Sequence, residues 1–174
     1  MKLTRDQILI YSKKYELKVK GTSDQFIEEE LRDWFATRKY LTREKLIRLG
    51  YWKSPRPLKR YKHELNTDER VREITKFSLA SKDEFIRFMC LQLLKGVSWG
   101  VASVILHFAY PDQYMIMDYR AIKSLGIKQP KNYNFDFWME YTTHVRGLAK
   151  KLQVTIRELD KALWMHSKEA GESR

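Results

Sequence analysis

Residues 100–110 read GVASVILHFAY, and this apolar segment limits the architecture of the chain more than any other feature. Wound as a helix, it is apolar nearly all round, so it offers no polar face to solvent. We therefore predict a central core helix here rather than an amphipathic helix at the surface.

Amphipathic helical patterns occupy much of the remaining chain. Residues 23–41 place apolar side chains at helical spacing, with Ser23 or Asp24 as the predicted N-cap. Residues 135–152 and 155–170 are also helical by pattern, and no convincing set of alternating strands is present. We predict an all-α fold. Three shorter helical patterns begin with a Thr or Ser that can cap free backbone amides, and each has an acid in its first turn: 42–52, 67–80 and 81–95.

The length of 174 residues fits one domain, or two small helical lobes that share a core. Residues 53–66, KSPRPLKRYKHELN, interrupt the helical patterns because Pro55 and Pro57 exclude a regular helix through themselves. We predict a single domain over 1–174 with a loop or lobe boundary near 53–66, and a frayed tail at 171–174.

The charge balance favours a polyanionic partner. Lys and Arg number 34 against 22 Asp and Glu, which gives a formal net charge of +12. Nucleic acid is the first partner to expect, and acidic proteins are an alternative. No apolar run approaches the roughly 20 residues of a membrane span, and the N-terminal residues lack the apolar core of a signal peptide. We expect no membrane association and a cytoplasmic location, nucleoid-associated if the chain binds DNA.

Cysteine and histidine offer no basis for metal chemistry. The chain has one cysteine, Cys90, which can form neither a disulfide framework nor a cysteine-ligated iron–sulfur or zinc site. The four histidines lack metal-ligand spacing such as HExxH. We expect no metal and no cofactor.

The region around residues 53–62 is basic and rich in aromatic side chains. Within it, five cations occur with no acid, and Tyr51, Trp52 and Tyr61 lie within or beside the segment. One interpretation is a solvated basic loop. The other is a nucleic-acid contact surface, in which cations meet phosphates and a ring stacks on a base. The five cations are Lys53, Arg56, Lys59, Arg60 and Lys62.

Two helices are predicted to meet at a very short turn at residues 95–100, KGVSWG. The first helix is expected to end at Leu93 and Leu94, and Gly96 supplies the permissive residue that a tight reversal needs. Backbone amides at the start of the second helix can bind a phosphate oxygen without reading sequence, with Lys95 adding attraction. The alternative is an ordinary turn between two helices, in which the glycine only permits the reversal.

Asp118 stands between the apolar run 114–117 and a short helical pattern at 119–125, which Gly126 ends. The structural interpretation is that Asp118 caps this helix. The functional interpretation is compatible with it, because amides at a helix N-terminus favour the ionised carboxylate. Asp118 would then be a fixed anion at the edge of an apolar site.

These segments together resemble a known family. The chain is similar, over about 35 residues, to the helix-hairpin-helix (HhH-GPD) DNA glycosylases. The run WKSPR at 52–56 is also similar to microbial members of that superfamily with no characterised activity. The resemblance implies a compact, two-lobed, all-helical domain that contains the hairpin. The residues that carry it are Leu94, Gly96, Val97, Ala102, Val104, Ile105 and Leu106, then Pro111, and Asp118 with Arg120.

The resemblance implies a monofunctional DNA glycosylase of base excision repair. A damaged base would be flipped into a pocket, and Asp118 would assist hydrolysis of its N-glycosidic bond. Trp52 or Trp99 could stack on a base. Duplex DNA is expected rather than a single strand. The predicted DNA-binding residues are Lys53, Arg56, Lys59, Arg60, Lys95, Gly96, Val97, Ser98, Trp99, Gly100 and Arg120.

Two positions depart from the family pattern. Gly100 stands where strand-cutting members carry a nucleophilic lysine, which disfavours lyase activity. Ser98 replaces the second glycine of the hairpin, which would be costly if the position needs a positive φ angle. A non-catalytic DNA-binding module and a basic protein-interaction scaffold therefore remain the alternatives to an enzyme.

Overall fold

The computed structural model describes residues 3–171, and within this range the chain forms ten helices and no strand. The predicted all-α fold is confirmed. Of the predicted C-terminal tail, residues 172–174 lie outside the described range. The helices are α1 (Arg5–Val19), α2 (Ser23–Thr37), α3 (Arg43–Lys53), α4 (Leu58–Tyr61), α5 (Asp68–Ala80), α6 (Glu84–Leu91), α7 (Trp99–Ala109), α8 (Tyr119–Ser124), α9 (Phe135–Leu152) and α10 (Ile156–Gly171).

The chain divides into two units, and each is considered by itself. Unit 1 comprises Met1–Lys20 and Pro111–Arg174, and unit 2 comprises Gly21–Tyr110. The chain therefore divides after residues 20 and 110, whereas the predicted boundary near 53–66 falls inside unit 2. The reason is that the proline-containing segment packs within unit 2. It includes the short helix α4, and α4 contacts α3.

Unit 2 is built around α7. Every residue from 101 to 107 is buried, as expected for a helix that is apolar nearly all round. Helices α2, α3 and α6 pack on it. They bring buried side chains such as Phe35, Leu49 and Phe88 into the core. The prediction of a central core helix is confirmed.

Side-chain caps mark the beginning of three helices in unit 2, α3, α5 and α6. The predicted caps Thr42 and Thr67 each accept a hydrogen bond from the amide three residues on, at 3.2 Å. Helix α6 differs from the prediction, since Asp83 rather than Ser81 caps it by accepting from the Ile86 amide at 2.8 Å.

Helix α2, by contrast, starts one or two residues earlier than predicted. The N-cap is Thr22 rather than Ser23 or Asp24, and its side chain makes no capping hydrogen bond.

Unit 1 contains α1, α8, α9 and α10, with α1 and α8 packed on α10. Helix α1 was not among the predicted patterns. Its apolar side chains do not share one face: Ile8 is buried, whereas Ile10 and Leu17 are 57% and 63% exposed. A capping box between Thr4 and Gln7 starts the helix.

The apolar run 114–117 packs into the core of unit 1. Tyr114 stacks on the buried Trp138 of α9, with ring centroids 5.6 Å apart. The buried Tyr141 hydroxyl donates to the Ile116 carbonyl at 3.0 Å. These contacts fix the backbone that leads into Asp118.

Among residues 3–171, no helix has the combination of length and apolar character that crossing a bilayer requires.

Candidate nucleic-acid interface

The connection between α6 and α7 in unit 2 is longer than the sequence predicted. Helix α6 ends at Leu91 rather than at Leu93 and Leu94, and residues 92–98 form the hairpin loop before α7 begins at Trp99. The amides of Leu93 and Leu94 donate to carbonyls three residues back, at 3.1 and 3.2 Å. This tighter winding ends the helix early and leaves Leu93 exposed.

Gly96 lies at the tightest point of the hairpin loop. Its φ angle is +88°, and the Val97 amide closes the turn by donating to the Leu94 carbonyl at 3.2 Å. A Cβ built on Gly96 would stand 2.7 Å from Cδ1 of the buried Tyr61 ring. Both the backbone conformation and the close approach to the ring therefore require glycine here.

Tyr61 joins the hairpin loop to the basic segment. A Cβ built on Gly50 of α3 would also lie within 2.9 Å of the ring, so the ring contacts two glycines. Its hydroxyl donates to the Ser54 carbonyl at 3.2 Å. Tyr61 therefore holds α3, α4 and the hairpin loop together.

Asn66 is a second link that sequence reasoning missed. The buried side-chain amide donates to the carbonyls of Tyr61 and Lys95, both at 3.0 Å, and its oxygen accepts from the Lys95 amide at 2.9 Å. No local pattern marks this residue, because its partner Lys95 is 29 positions away. Asn66 fixes the hairpin loop against the segment that follows α4.

The hydrogen bonds within the loop decide which amides can face a ligand. The Lys95 amide is bound to Asn66, and Val97 is buried with its amide bound to Leu94. Both predicted residues therefore lack an available amide, although the Lys95 side chain is exposed. Within residues 3–171, the amides of Ser98, Trp99 and Gly100 donate to no protein acceptor. These amides start α7, where unsatisfied donors favour anions.

Ser98 causes no strain at the position of the missing glycine. Its φ angle is −88° with ψ at 176°, which is extended backbone open to any residue. The side chain is exposed and makes no capping hydrogen bond. Serine is therefore accommodated at position 98 at no conformational cost.

The basic segment lies beside the hairpin loop. A Cβ on Gly96 would stand 3.1 Å from Cβ of Arg60, and Lys59 and Arg60 of α4 are exposed. We call Lys59, Arg60, Lys95 and the hairpin loop together the hairpin surface. Arg56 is exposed between α3 and α4, and Lys53 is half-buried at the end of α3.

The two predicted stacking rings are engaged in packing. Trp99 stacks on the buried Phe88, with centroids 4.7 Å apart and planes at 23°. Trp52 contacts Phe108 edge to face at 6.0 Å and is half-buried. Each ring thus has a structural role within unit 2.

Asp118 caps α8 in unit 1, as predicted. Its carboxylate accepts from the Arg120 amide at 2.9 Å, and the side chain is half-buried. Burial raises the pKa of Tyr133 and Tyr141, and the negative charge of Asp118 adds to both shifts. The charge of the Asp118 carboxylate therefore disfavours the ionised form of both phenols.

The Arg120 guanidinium forms no ion pair with a carboxylate among the described residues. The group lies 5.4 Å from the centroid of Tyr119 and 5.6 Å from that of Trp164. This predicted DNA-binding residue belongs to unit 1, whereas the hairpin belongs to unit 2.

Two surface cavities involve none of the predicted site residues. One, of about 420 Å³, is lined by residues of α5 with Tyr40. The other, of about 260 Å³, is lined by residues of the C-terminal part of α9 and the start of α10 with Asp112. Neither includes Asp118. Among residues 3–171, no cluster of three or more His, Cys, Asp or Glu side chains could hold a metal ion.

No family model, curated protein or solved structure matches this chain.

Proposed function

We propose that the chain binds duplex DNA through the hairpin surface. The observation that carries this proposal is the contact of Gly96 with Tyr61 and Arg60, which joins the hairpin loop to the basic helix α4. The amides at the start of α7 and the cations of α4 then belong to one surface.

The chemistry of this surface suits phosphates rather than base edges. The amides of Ser98, Trp99 and Gly100 can hold one phosphate oxygen, while Lys59, Arg60 and Lys95 neutralise neighbouring phosphates. Each neutralised phosphate releases counterions, so binding should weaken steeply with salt and depend little on sequence. A DNA partner would also place the chain inside the cell.

Fluorescence anisotropy with a labelled duplex tests the proposal. The double variant Lys59→Gln, Arg60→Gln should bind about tenfold more weakly at low salt and lower the salt slope by about 2. The double variant Lys76→Gln, Lys82→Gln is the charge-matched control, because both lysines are exposed, Lys76 in the C-terminal half of α5 and Lys82 just after this helix. If both variants lost the same affinity for DNA, or if salt left the affinity unchanged, the alternative of a basic protein-interaction scaffold would be favoured instead.

We further propose that the chain is a monofunctional DNA glycosylase with Asp118 as its catalytic residue. The Asp118 carboxylate accepts from the Arg120 amide at 2.9 Å, which fixes it at the start of α8, directly after the buried run 114–117. It could stabilise oxocarbenium-like charge at the sugar while water attacks C1′ and the base departs. Gly100 offers no amine at the lysine position, so water rather than the protein would be the nucleophile.

A panel of duplexes, each with one damaged or mismatched base, tests this activity after hot alkali reveals abasic sites. Asn caps helices about as well as Asp, so Asp118→Asn separates chemistry from folding. We expect the variant to bind DNA normally and to lose about 10²- to 10⁴-fold in rate. Salt-dependent binding with no product on any lesion would assign a non-catalytic DNA-binding module instead.

A further inference from the structure

Helix α6 presents apolar side chains on two faces. Phe88 and Leu91 are buried in the core of unit 2. Four further apolar side chains fall within about 100° of one another on the roughly opposite face, because successive residues of a helix are about 100° apart. We call them the α6 stripe: Phe85, Ile86, Met89 and Leu93.

Leu93 belongs to the stripe although α6 ends at Leu91. The amides of Gln92, Leu93 and Leu94 donate to carbonyls three residues back, so the winding continues past the end of the helix. The stripe therefore runs from Phe85 to Leu93 without a break.

The α6 stripe is open to solvent. Phe85, Ile86 and Leu93 are 53%, 40% and 57% exposed, and Met89 is half-buried between them. A surface helix normally has polar residues on the side away from the core. The stripe thus departs from the usual pattern at the place where that pattern favours solubility.

No charge interrupts the α6 stripe. Arg87 is the one charged residue in the run 85–94. Its side chain is 13% exposed, donates to the Ser81 carbonyl, and lies with its guanidinium 5.0 Å from the centroid of the Tyr110 ring. Arg87 therefore lies outside the stripe.

The size of the α6 stripe suits the centre of a small protein interface. It exposes on the order of 300 Å² of apolar surface, which is typical of an interaction site. A standard interface takes about 800 Å² from each partner, and its rim is polar. A partner must therefore bring an apolar face of its own and charges that match the ends of the stripe.

The ends of the stripe carry opposite charges. Asp83 precedes it and Lys95 follows it, and both are exposed. If two copies of the stripe run antiparallel and cross at Met89, residue 83 of each copy falls opposite residue 95 of the other. In this register Lys82 falls opposite the uncharged Gly96. One register therefore matches both the charges and the apolar side chains.

We propose that a second copy of this chain covers the α6 stripe, with the two helices antiparallel about a two-fold axis at Met89. Phe85 of each copy packs against Leu93 of the other, and Asp83 pairs with Lys95. A two-fold contact uses the same surface twice, so the stripe supplies both halves of the interface. The proposal does not rest on DNA binding.

Sedimentation equilibrium of the full chain over a range of concentrations tests for the second copy. We expect the average mass to rise from that of one chain toward that of two, with a dissociation constant on the order of 10–100 μM for an interface of this size. A mass of one chain at every concentration up to about 1 mM would overturn the proposal.

A substitution in the stripe tests which surface is used. Leu93→Ser should raise the dissociation constant about tenfold, because the symmetry removes the contact twice. Phe26→Ser is the matched control, since Phe26 is 61% exposed on α2. Circular dichroism checks that both variants fold. Equal weakening by the two variants, or a dimer that Leu93→Ser leaves intact, would contradict the assignment to the stripe.

Disulfide cross-linking tests the antiparallel register in a Cys90→Ser background, which removes the native thiol. A mixture of Phe85→Cys and Leu93→Cys should form a disulfide between the two variants. Phe85→Cys alone should not, because eight residues separate position 85 from its opposite number, about 12 Å along the helix axis, and a disulfide needs Cα atoms within about 7 Å. Efficient cross-linking of Phe85→Cys to itself would overturn the register.

Duplex DNA is the other occupant that the test can identify. A chain that stays monomeric, with duplex binding that Leu93→Ser weakens and Phe26→Ser does not, would assign the stripe to DNA and overturn the second copy. Self-association that Leu93→Ser weakens, with duplex binding unchanged, would support the second copy and leave the proposed function standing.

Discussion

Replacing Asn66 with alanine should loosen the hairpin loop and destabilise unit 2. The side chain makes three hydrogen bonds of 2.9 to 3.0 Å, to Tyr61 and to both backbone groups of Lys95, and a longer one of 3.3 Å to the Arg60 carbonyl. A buried hydrogen bond contributes about 0.5–1.5 kcal/mol net, so losing the three short ones should cost about 3 kcal/mol.

Thermal denaturation measures the global effect, and hydrogen exchange measures the local one. For a chain of this size, about 3 kcal/mol corresponds to a fall of about 6–12 °C in the midpoint of thermal unfolding. Locally, the Lys95 amide should exchange faster, because Asn66 is its only acceptor among the described residues.

Asn134→Ala is the matched control. Asn134 is exposed and caps α9 by accepting from the Phe137 amide at 2.9 Å, so its loss should cost about 1 kcal/mol. It should leave exchange at Lys95 unchanged. If Asn66→Ala cost no more than this control, or if Lys95 stayed protected, the role assigned to Asn66 would be refuted.

Other positions give sharper local contrasts. Gly96→Ala and Gly126→Ala both force a side chain into a positive φ angle, of +88° and +73°, but only Gly96 faces the Tyr61 ring at 2.7 Å. Gly96→Ala should therefore lower the unfolding midpoint more, and equal losses would contradict the packing argument. Asp118→Ala should cost about 1 kcal/mol in urea denaturation by removing the cap, whereas Asp118→Asn should cost little. Because burial raises the pKa of the Cys90 thiol, less thiolate is present at pH 8. Iodoacetamide should modify Cys90 more slowly in the native chain than in urea, and equal rates would refute this.

Helices whose signals are local could be predicted from the sequence. Caps such as Thr42 and Thr67, and the apolar helix at 100–110, follow from residues within a turn or two of each other. Asp118 as the cap of α8 belongs to the same class. Helix α1 was missed because Ile10 and Leu17 leave its apolar pattern without a single face.

The surfaces that these helices form depend on packing between distant parts of the chain. The contact of Tyr61 with Gly96, the bonds from Asn66 to Lys95 and the position of Arg120 beside Trp164 all join residues distant in the chain. The division after residues 20 and 110 is of the same kind, since α1 joins its unit by packing on α10. Hydrogen-bonding caps and helical periodicity act over a few residues, whereas packing depends on which distant side chains fill the same space.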